Sequence, residues 1–487
     1  MAVSCGVGTI IPLDKELTKE ELKNIVESAN IQGLFYSEAY VDKVSELEDV
    51  KLFSFENSYD TLIERGKTIL KEGDKSYIDS EIDENDTNFI FFTSGTSSKP
   101  KGVKLSHRNI ASNIEASSIQ IGLDSSDIAL SILPANHVLE GIFCFLLSIK
   151  NGLKRVFARD LESIASTICE ENITFMGAVP ALYEVIFDEF VALENEQLEK
   201  IKKNYKIFFT AGAPANLNLI NKYKSLGIKL VQYYGMTEAA SCISIGNKED
   251  YRIGSSGKVL PNIDLKLSEK DQEILISGAV VFNGYTNGAN HLDSAGYFHT
   301  GDLGKIDSDG YLFIIGRNKN VIVLDNGQKV YPEEIEAKIN EIPNVVESIV
   351  YGIGNKINAK IVYDNGLEVI KNEIEHLNNT MPDYKKITNV EYSTNGLQKN
   401  SSQKIIRDEP AEPEIETKIK NVLRFVFKKE EISLEDKIVE DLKADSLDII
   451  SINLKLEKEF NIKIPREDFR ELKEVQDIIA YIARKQC

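Results

Sequence analysis

The sequence predicts a large α/β domain, followed by a small α+β domain and a C-terminal all-α four-helix bundle. Three observations support this order. Apolar runs of four to six residues alternate with helical patterns through about the first 300 residues, which is typical of buried strands in an α/β sheet. The pattern changes after Arg317, and about the last 75 residues show helical periodicity alone.

The large domain is predicted to occupy residues 1–316. Its clearest strands are short apolar segments, each followed by a turn that contains glycine: Phe89–Phe92, Ile207–Phe209 and Leu230–Tyr234. Segments of this length and composition are typical of strands buried on both faces. At 487 residues the whole chain has room for about three domains.

A small α+β domain is predicted over residues 317–407. Val321–Leu324 is predicted to be a strand. A helix is expected to begin near Pro332, because proline suits the first helical turn and the acidic residues Glu333 and Glu334 follow it.

A short linker and a helical bundle complete the chain. Residues 408–413 are acidic and contain two prolines, as linkers do. Residues 414–487 show two apolar stripes at helical spacing. The first stripe comprises Ile419, Val422, Leu423 and Val426, and the second comprises Leu447, Ile450, Leu454 and Leu456–Phe460.

Composition argues against several classes of protein. The formal net charge of −20 does not suit broad binding to nucleic-acid phosphates, which requires clustered Lys and Arg. No uninterrupted stretch of about 20 apolar residues exists, so no membrane span is expected. The five cysteines are scattered without a Cys-x-x-Cys pair, and the N-terminus lacks a signal-peptide pattern. A cytoplasmic protein with reduced thiols is therefore expected.

One loop has the composition of a phosphate-binding site. Residues 93–102 follow a predicted strand and are rich in Gly, Ser, Thr and Lys, whose backbone amides, hydroxyls and ammonium groups suit polyphosphate oxygens. The Walker A pattern is absent, and a loop of this composition taken alone is more often only a loop. The candidate phosphate-binding residues in it are Thr93, Ser94, Gly95, Thr96 and Lys101.

Four further motifs follow this loop in order: Tyr233–Glu238, Thr300–Asp302, Gly316–Lys319 and Gln403–Arg407. Together with the loop they resemble the motifs of the superfamily of AMP-forming acyl-CoA synthetases, luciferases and peptide-synthetase adenylation domains. The resemblance covers about residues 6–407. It implies an adenylating enzyme that uses ATP and Mg²⁺, with a large α/β domain and a small mobile lid domain.

The resemblance implies catalytic roles for three residues. Glu238 would hold Mg²⁺, a hard cation that prefers carboxylate oxygen, and Thr237 would donate to the α-phosphate. Lys404 matches the family's catalytic lysine, which stabilises the charge that develops during adenylation. The preceding residues Asn400–Gln403 depart from the family's usual Thr-x-x-Gly pattern, whereas Lys404–Arg407 keeps the usual ending. A solvated lysine is the alternative interpretation of Lys404.

The resemblance also implies a nucleotide-binding surface. Tyr234 would stack on adenine, and Asp302 would accept hydrogen bonds from the ribose hydroxyls. The complete set of implied nucleotide-binding residues outside the 93–102 loop is Gly212, Ala213, Pro214, Tyr234, Asp302 and Arg317.

The small domain of this family swings between an adenylating pose and a thioester-forming pose. The hinge position of the family matches Lys319 in this sequence. Gly327 would line the thiol entrance in the second pose, where a residue without a side chain lets the arm pass.

His137 is a candidate residue of the acyl pocket. It lies in Leu133–His137, where fatty-acid-type members carry a similar histidine. A packed core histidine is the alternative interpretation. Amino-acid-activating relatives place an aspartate near here, and no acid stands at the matching position, which favours a carboxylic acid without an amino group.

The C-terminal segment resembles an acyl carrier protein over its whole length. In Asp441–Leu447, Ser446 would begin a helix and carry 4′-phosphopantetheine, attached by a phosphopantetheinyl transferase; an N-cap serine is the alternative. Lys443 stands where the family usually has glycine. The acidic surface on which a downstream acyltransferase or synthase could dock comprises Glu440, Asp441, Asp445 and Asp448.

The resemblance also predicts that the large domain is shortened at its N-terminus. Gly8–Asp14 is similar to a stretch that lies roughly 70 to 90 residues inside other members. A misassigned start site, a fragment, or a partner that supplies the rest are the alternatives.

These features predict an AMP-forming acid–thiol ligase. The expected reaction is activation of a medium- or long-chain fatty acid, or a related carboxylic acid, as acyl-AMP, followed by thioester transfer to the chain's own carrier domain. The alternatives are an acyl-CoA ligase that uses free CoA, and a catalytically inactive carrier scaffold.

Overall fold

The computed structural model describes the following residues of the chain: 3, 6–93, 101–161, 163–212, 217–288, 292–324, 328–353, 356–399, 405, 407, 415–427, 429, 432, 433, 436–444, 446–460, 462–465, 468, 469 and 472–486. The chain divides into two compact units, residues 1–405 and residues 406–487. The first unit contains the sheets, and the second is helical.

The N-terminal segment builds a small sheet of its own. Its helices and strands are α1 (Lys19–Ser28), β1 (Gly33–Tyr36), α2 (Val41–Val44), β2 (Lys51–Ser54) and α3 (Tyr59–Lys71). A capping box at Thr18 starts α1. β1 and β2 pair in parallel. Leu34 and Leu52 of this pair belong to one hydrophobic cluster with Leu22 and Val26 of α1, so α1 covers one face of the sheet.

The opposite face of this sheet carries exposed aromatic side chains. Phe35 and Phe53 stack with their ring centroids 4.9 Å apart, and Phe55 and Tyr59 extend the row. Phe55 is 53% exposed. No residue of α3, which the structure describes completely, is buried. Because parallel strands are usually covered on both faces, this apolar surface departs from the usual burial of α/β sheets.

A hairpin brackets the loop predicted to bind phosphate. β3 (Thr87–Thr93) and β4 (Lys101–Ser106) pair in antiparallel fashion, and α4 (His107–Ile121) follows them. Thr93 and Lys101 are cross-strand partners at the end of the hairpin that carries the connecting loop. The loop residues between them, 94–100, lie outside the described residues.

The central sheet has seven strands, as expected for the predicted α/β domain. They are β5 (Ile128–Ser131), β6 (Lys154–Phe157), β7 (Phe175–Ala178), β8 (Ile207–Thr210), β9 (Leu230–Met236), β10 (Ser241–Ile245) and β11 (Lys258–Val259). Their order in the sheet is β11-β10-β9-β8-β7-β5-β6, and the last five of these pair in parallel. The accompanying helices are α5 (Phe145–Asn151), α6 (Ile164–Glu170), α7 (Pro180–Ala192), α8 (Asn195–Asn204) and α9 (Leu217–Ser225).

The centre of this sheet is buried on both sides. Every residue of β7 and β8 is buried, which confirms the prediction made from the apolar run Ile207–Phe209. Phe175 of β7 and Phe209 of β8 lie with their ring centroids 5.6 Å apart and belong to the core of this domain. The sequence prediction of an α/β fold is therefore confirmed.

A second, antiparallel sheet follows the central one. Its strands are β12 (Asp264–Leu267), β13 (Glu273–Ser277), β14 (Phe298–Ile306) and β15 (Leu312–Arg317), in this spatial order. Asp302 of β14 and Arg317 of β15 are cross-strand partners. The register of this sheet therefore places a carboxylate beside a guanidinium.

The small α+β region has its own hydrophobic core, centred on Val330, Ile335, Ile361 and Ile370. Helix α10 begins at Pro332, as predicted. The predicted strand at 321–324 is shorter than expected and covers Ile322–Val323. The elements in chain order are β16 (Ile322–Val323), β17 (Lys329–Val330), α10 (Pro332–Ile339), β18 (Val345–Ile353), β19 (Lys356–Tyr363), α11 (Leu367–Thr380) and β20 (Ile387–Ser393).

The C-terminal unit is helical. The described residues include α12 (Ile415–Phe427), α13 (Ser446–Phe460) and α14 (Val475–Gln486), three helices of the predicted bundle. Ile419 and Leu423 of α12 are fully buried, as predicted. Leu454, placed in the second apolar stripe by the sequence, is 61% exposed. That assignment is wrong because a period of 3.6 residues places Ile452 and Leu456, both fully buried, on one face of α13 and Leu454 on the opposite face.

Two further observations concern the described residues as a whole. None of their helices combines the length and the apolar composition that crossing a bilayer requires. Cys144, Cys169 and Cys242 are buried free thiols.

Lys443 offers a test of the backbone before α13. Its φ is +58°, in the left-handed region, where a residue with a Cβ is disfavoured by about 1–2 kcal/mol. We expect Lys443→Gly to raise the opening free energy of the C-terminal unit by about 1 kcal/mol, measured by amide hydrogen exchange in α12 and α13 of the full chain. Lys455→Gly, inside α13, should lower the opening free energy instead, because glycine in a helix interior is unfavourable by about 1 kcal/mol. Equal effects of the two substitutions would contradict this explanation.

Candidate nucleotide-binding site

Several predicted site residues meet at one edge of the central sheet. The parallel strands β8 and β9 are neighbours and end at Thr210 and Met236. Gly212 follows β8, and Thr237 and Glu238 follow β9 in a single 3₁₀ turn. Ligands of α/β sheets bind outside the carboxyl ends of the strands, so the fold brings these residues to the expected edge.

A buried carboxylate connects the two sheets. Asp302 is 4% exposed, and its Oδ2 accepts a hydrogen bond of 2.8 Å from the hydroxyl of Tyr234 in β9. Its Oδ1 lies 2.7 Å from Nε of Arg317. Burial, together with the negative charge of Asp302, raises the pKa of the Tyr234 hydroxyl well above its usual range, so the tyrosine remains a donor. Three residues predicted to bind the nucleotide therefore form one hydrogen-bonded group.

A cleft of about 450 Å³ opens beside this group. It is lined by Thr300, Gly301, Arg317, Asn318 and Lys319. The predicted hinge residue, Lys319, thus borders the cleft, in a 3₁₀ turn that directly follows β15. Thr300, Arg317, Asn318 and Lys319 carry side-chain donors that suit the hydroxyl or phosphate oxygens of a ligand.

Glu238 contacts a residue that the sequence analysis did not identify. The hydroxyl of Tyr285 donates to Oε1 of Glu238 at 2.7 Å, and the backbone N–H of Phe282 donates to the Glu238 carbonyl at 2.9 Å. Nζ of Lys101 lies 5.9 Å from the centroid of the Tyr285 ring. Burial and the charge of Glu238 raise the pKa of Tyr285 above its usual value. Its hydroxyl is therefore protonated at neutral pH.

The phosphate-loop hairpin is fixed against the same segment. The backbone N–H of Thr286 donates to the Gly102 carbonyl at 2.8 Å, and Lys104 exchanges backbone hydrogen bonds with residues 283 and 284. A Cβ at Gly102 would lie 2.7 Å from Cγ2 of Thr286. Glycine therefore leaves room for the Thr286 side chain against this strand, which explains one glycine of the 93–102 motif.

The turn after β9 has an unusual backbone. Ala240 and Ser241 have φ values of +53° and +112°, which residues with a side chain rarely adopt. A Cβ at Gly235 would lie only 1.8 Å from the Ser241 carbonyl oxygen, so this motif position accepts only glycine. Strained backbone of this kind persists only where surrounding contacts hold it.

Two asparagines of α4 donate to backbone carbonyls, and one of them, Asn113, holds this turn. Nδ2 of the fully buried Asn113 donates to the carbonyls of Ala239 and Cys242 at 3.0 and 2.7 Å. One turn earlier, Nδ2 of Asn109 donates to the carbonyls of Ala279 and Val281, both at 2.8 Å. These residues were missed by the sequence analysis. Asn113, in the interior of α4, is an available signal, because asparagine is unfavourable in helix interiors unless its side chain has a specific partner.

His137 lies after β5, at the same edge of the sheet. Its carbonyl accepts from the Gly141 N–H at 2.8 Å, at the start of a π-helical turn over Leu139–Cys144. Glu140 in this turn is 2% exposed, and its Oε1 lies 2.5 Å from Nη2 of Arg155. Burial raises the pKa of Glu140, and hydrogen bonding to Ser131 and the charge of Arg155 oppose that rise. The acid nearest to His137 in sequence is thus already paired with a cation.

The remaining predicted residues fall partly or wholly outside the described chain. Ser446 is the first residue of α13, as expected of an attachment serine, but its side chain is not among those described. Within the described residues, no group of three or more His, Cys, Asp or Glu side chains could hold a metal ion. The predicted site residues that lie outside the described residues are Ser94, Gly95, Thr96, Ala213, Pro214, Gly327 and Lys404.

Two family models match parts of this chain. The sequence model of the family "AMP-binding enzyme" matches residues 2–286, and the model "Phosphopantetheine attachment site" matches residues 414–482. The 2-succinylbenzoate–CoA ligase of Bacillus pumilus is 29% identical over 360 residues, which cover 71% of this chain and 70% of the relative. The putative acyl–CoA ligase YdaB of Bacillus subtilis is 27% identical, over 82% of this chain and 83% of the relative.

Solved structures share the fold. ATP-bound MatB from Rhodopseudomonas palustris superposes with a TM-score of 0.69 at 22% identity, covering 87% of this chain and 84% of that one. MenE from Bacillus subtilis with the acyl-adenylate OSB-AMP gives 0.67 at 23% identity, with 82% of each chain covered. McyG A-PCP with phenylalanyl-adenylate gives 0.62 at 18% identity and covers 95% of this chain and 83% of that one.

Removal of the Asn113 amide tests its structural importance. Asn113→Ala leaves two buried carbonyls without this donor, and unsatisfied buried groups cost about 1–3 kcal/mol each. We expect the free energy of unfolding of the first unit to fall by about 2 kcal/mol or more, measured by equilibrium urea unfolding. Ile119→Ala, at an exposed position of the same helix, should change it by less than about 0.5 kcal/mol. A similar small change for Asn113→Ala would contradict the assignment.

Proposed function

The chain belongs to the AMP-binding enzyme family and ends in a phosphopantetheine attachment domain, and from this premise we propose that it activates a carboxylic acid with ATP and loads it on its own carrier serine, Ser446. The observation that carries the proposal is the group of Tyr234, Asp302 and Arg317 beside the cleft. It supports nucleotide binding at the edge of the sheet where Thr237 and Glu238 lie.

The proposed reaction has two steps. A carboxylate oxygen of the acid attacks the α-phosphorus of ATP and expels pyrophosphate, which forms a mixed acyl–phosphate anhydride. The thiol of the pantetheine arm then loses its proton and attacks the acyl carbon, and AMP leaves. In the first step two anions approach each other, so Thr237 and Lys404 act as donors to the phosphate oxygens on which negative charge develops.

Asp302 can accept from a ribose even though it is already paired. A carboxylate offers about four lone-pair sites on its two oxygens. Tyr234 and Arg317 occupy one site on each oxygen. An oxygen of a carboxylate can accept from more than one donor, so vicinal ribose hydroxyls are compatible with these two contacts. The cleft beside Arg317 provides the space for the sugar.

Glu238 fits a magnesium site of the usual nucleotide-dependent kind. Mg²⁺ is typically held by one or two carboxylates together with substrate phosphates, rather than by an all-protein cage. One partly exposed carboxylate near the phosphate-loop hairpin, without a cluster of acids among the described residues, matches this pattern. When bound, the cation would reduce the negative charge on the ATP phosphates.

The proposed cargo is a carboxylic acid without an α-amino group. The pairing of Glu140 with Arg155 supports this, because a carboxylate committed to a buried guanidinium does not offer its charge to a substrate ammonium. Fatty acids remain the first candidates. Aromatic acids are the second, because the relatives with comparable coverage include ligases of 2-succinylbenzoate and 4-coumarate.

The proposed acceptor is the pantetheine arm on the same chain. A short flexible tether gives an effective concentration on the order of millimolar, which favours the arm over free CoA. A phosphopantetheinyl transferase must first modify Ser446. The acidic, exposed residues Glu440 and Asp441 nearby support docking of partner enzymes with basic surfaces.

Intact-mass spectrometry of the pantetheinylated chain tests the proposal. With ATP, Mg²⁺ and a panel of fatty and aromatic acids, we expect an acyl adduct for at least one acid and none on the Ser446→Ala variant. Acyl-CoA formation from free CoA at an undiminished rate by Ser446→Ala would favour the CoA ligase alternative. A folded chain that shows neither adduct nor ATP–pyrophosphate exchange with any acid would favour the inactive scaffold.

Lys404→Ala separates the two half-reactions. We expect acyl-AMP formation to fall at least about 100-fold, because removal of one donor to a developing oxyanion typically costs this much. Transfer from preformed acyl-AMP to the pantetheine arm should change little. Both rates are measured by rapid quench, with Lys386→Ala, a surface lysine paired with Asp383, as the matched control. A parallel loss of both half-reactions would contradict the role.

A further inference from the structure

We propose that Tyr285 is a positioning residue for Glu238, whose carboxylate it holds so that the second oxygen faces a divalent cation bound with the nucleotide. The inference rests on the proposed function, because it assumes that Glu238 meets a metal–nucleotide complex. Tyr285 lies outside the five sequence motifs, and only the tertiary fold brings it to Glu238.

The contact itself is specific. The Tyr285 hydroxyl donates to Oε1 of Glu238 at 2.7 Å, the length of a strong O–H···O⁻ hydrogen bond. Because Oε1 accepts this hydrogen bond, the proposal assigns the cation to Oε2. Groups that hydrogen-bond to a metal-binding side chain fix its orientation and commonly change metal affinity by about 10- to 100-fold.

Tyr285 can act in this way because its backbone is fixed to the same structure as Glu238. Three residues before the tyrosine, the N–H of Phe282 donates to the Glu238 carbonyl at 2.9 Å. One residue after it, the N–H of Thr286 donates to the Gly102 carbonyl at 2.8 Å. One segment therefore holds the backbone of Glu238, its carboxylate and the phosphate-loop hairpin.

Tyr285 also lies close to a cation of the site, the ammonium group of Lys101. Its ring lies 5.9 Å from Nζ of Lys101, at the first residue after the loop, while its hydroxyl binds Glu238. Without the hydroxyl, the carboxylate is free to turn toward this lysine, and a Lys101–Glu238 ion pair would withdraw both groups from phosphate and metal. Tyr285 thus keeps a cation and an anion of the site in separate roles.

Tyr285→Phe tests the hydroxyl while retaining the ring and its contact with Lys101. Mn²⁺ binding to the full chain is followed by electron paramagnetic resonance in the presence of α,β-methylene-ATP. We expect about tenfold weaker Mn²⁺ binding, with the affinity for the analogue in EDTA unchanged. Tyr297→Phe, which removes a surface hydroxyl–carboxylate contact to Asp264, is the matched control and should bind Mn²⁺ as the unsubstituted chain does.

A double-mutant cycle with Glu238→Gln distinguishes positioning from a general loss of stability. If Tyr285 acts through Glu238, Tyr285→Phe should have little further effect on Mn²⁺ binding in the Glu238→Gln chain. Additive losses would overturn the inference, as would unchanged Mn²⁺ affinity in the single variant or failure of the unsubstituted chain to bind Mn²⁺ with the analogue.

The outcomes separate this inference from the proposed function. A chain that shows tyrosine-dependent Mn²⁺ binding but activates no acid supports the positioning role and overturns the proposed activity. The opposite result is also possible: the unsubstituted chain activates an acid, but Tyr285→Phe binds Mn²⁺ normally and needs no more Mg²⁺ for half-maximal pyrophosphate exchange. In that case the proposed activity stands and the inference is overturned.

Discussion

The buried carboxylate of Asp302 is the interaction on which the candidate site depends. A charge that is 4% exposed is costly unless it is paired and hydrogen-bonded. Tyr234 comes from the parallel sheet and Arg317 from the neighbouring antiparallel strand, so the same charge joins both sheets where the cleft opens. These two contacts fix the orientation of the Asp302 side chain. A mobile carboxylate would have to be ordered during binding at the expense of affinity.

The turn after β9 depends on a second set of contacts. Its left-handed residues, Ala240 and Ser241, cost on the order of 1–3 kcal/mol each in backbone strain. Asn113 offsets part of this strain by bonding to the carbonyls on both sides of the pair, at Ala239 and Cys242. The turn places Thr237 and Glu238 at the strand ends, and preorganised groups need no rearrangement when charge develops. Helix α4, which carries no predicted catalytic residue, therefore supports the proposed chemistry.

The sequence predicts the fold well, because strands and helices follow local patterns. Apolar runs identify β8 and β9, and Pro332 identifies the start of α10. Tyr285 and Asn113 could not be identified in this way. Their partners lie 47 and 126 or more positions away in the chain, and only the tertiary fold brings them together. The error at Leu454 is of another kind: an apolar residue within a helix was assigned to the core although its position on the helix faces solvent.

The net charge of −20 places a constraint on how this chain can bind ATP. A protein with a strong negative field repels an anionic nucleotide, and salt limits the reach of this repulsion to about 10 Å. Attraction must therefore arise at short range, from cations held at the site itself. Lys101 flanks the loop, and Arg317 and Lys319 line the cleft. Arg317 is partly neutralised by Asp302, so it contributes less net attraction than a free guanidinium would. In such a field a divalent cation bound with the nucleotide contributes more than any single side chain, and the orientation of Glu238 becomes correspondingly important.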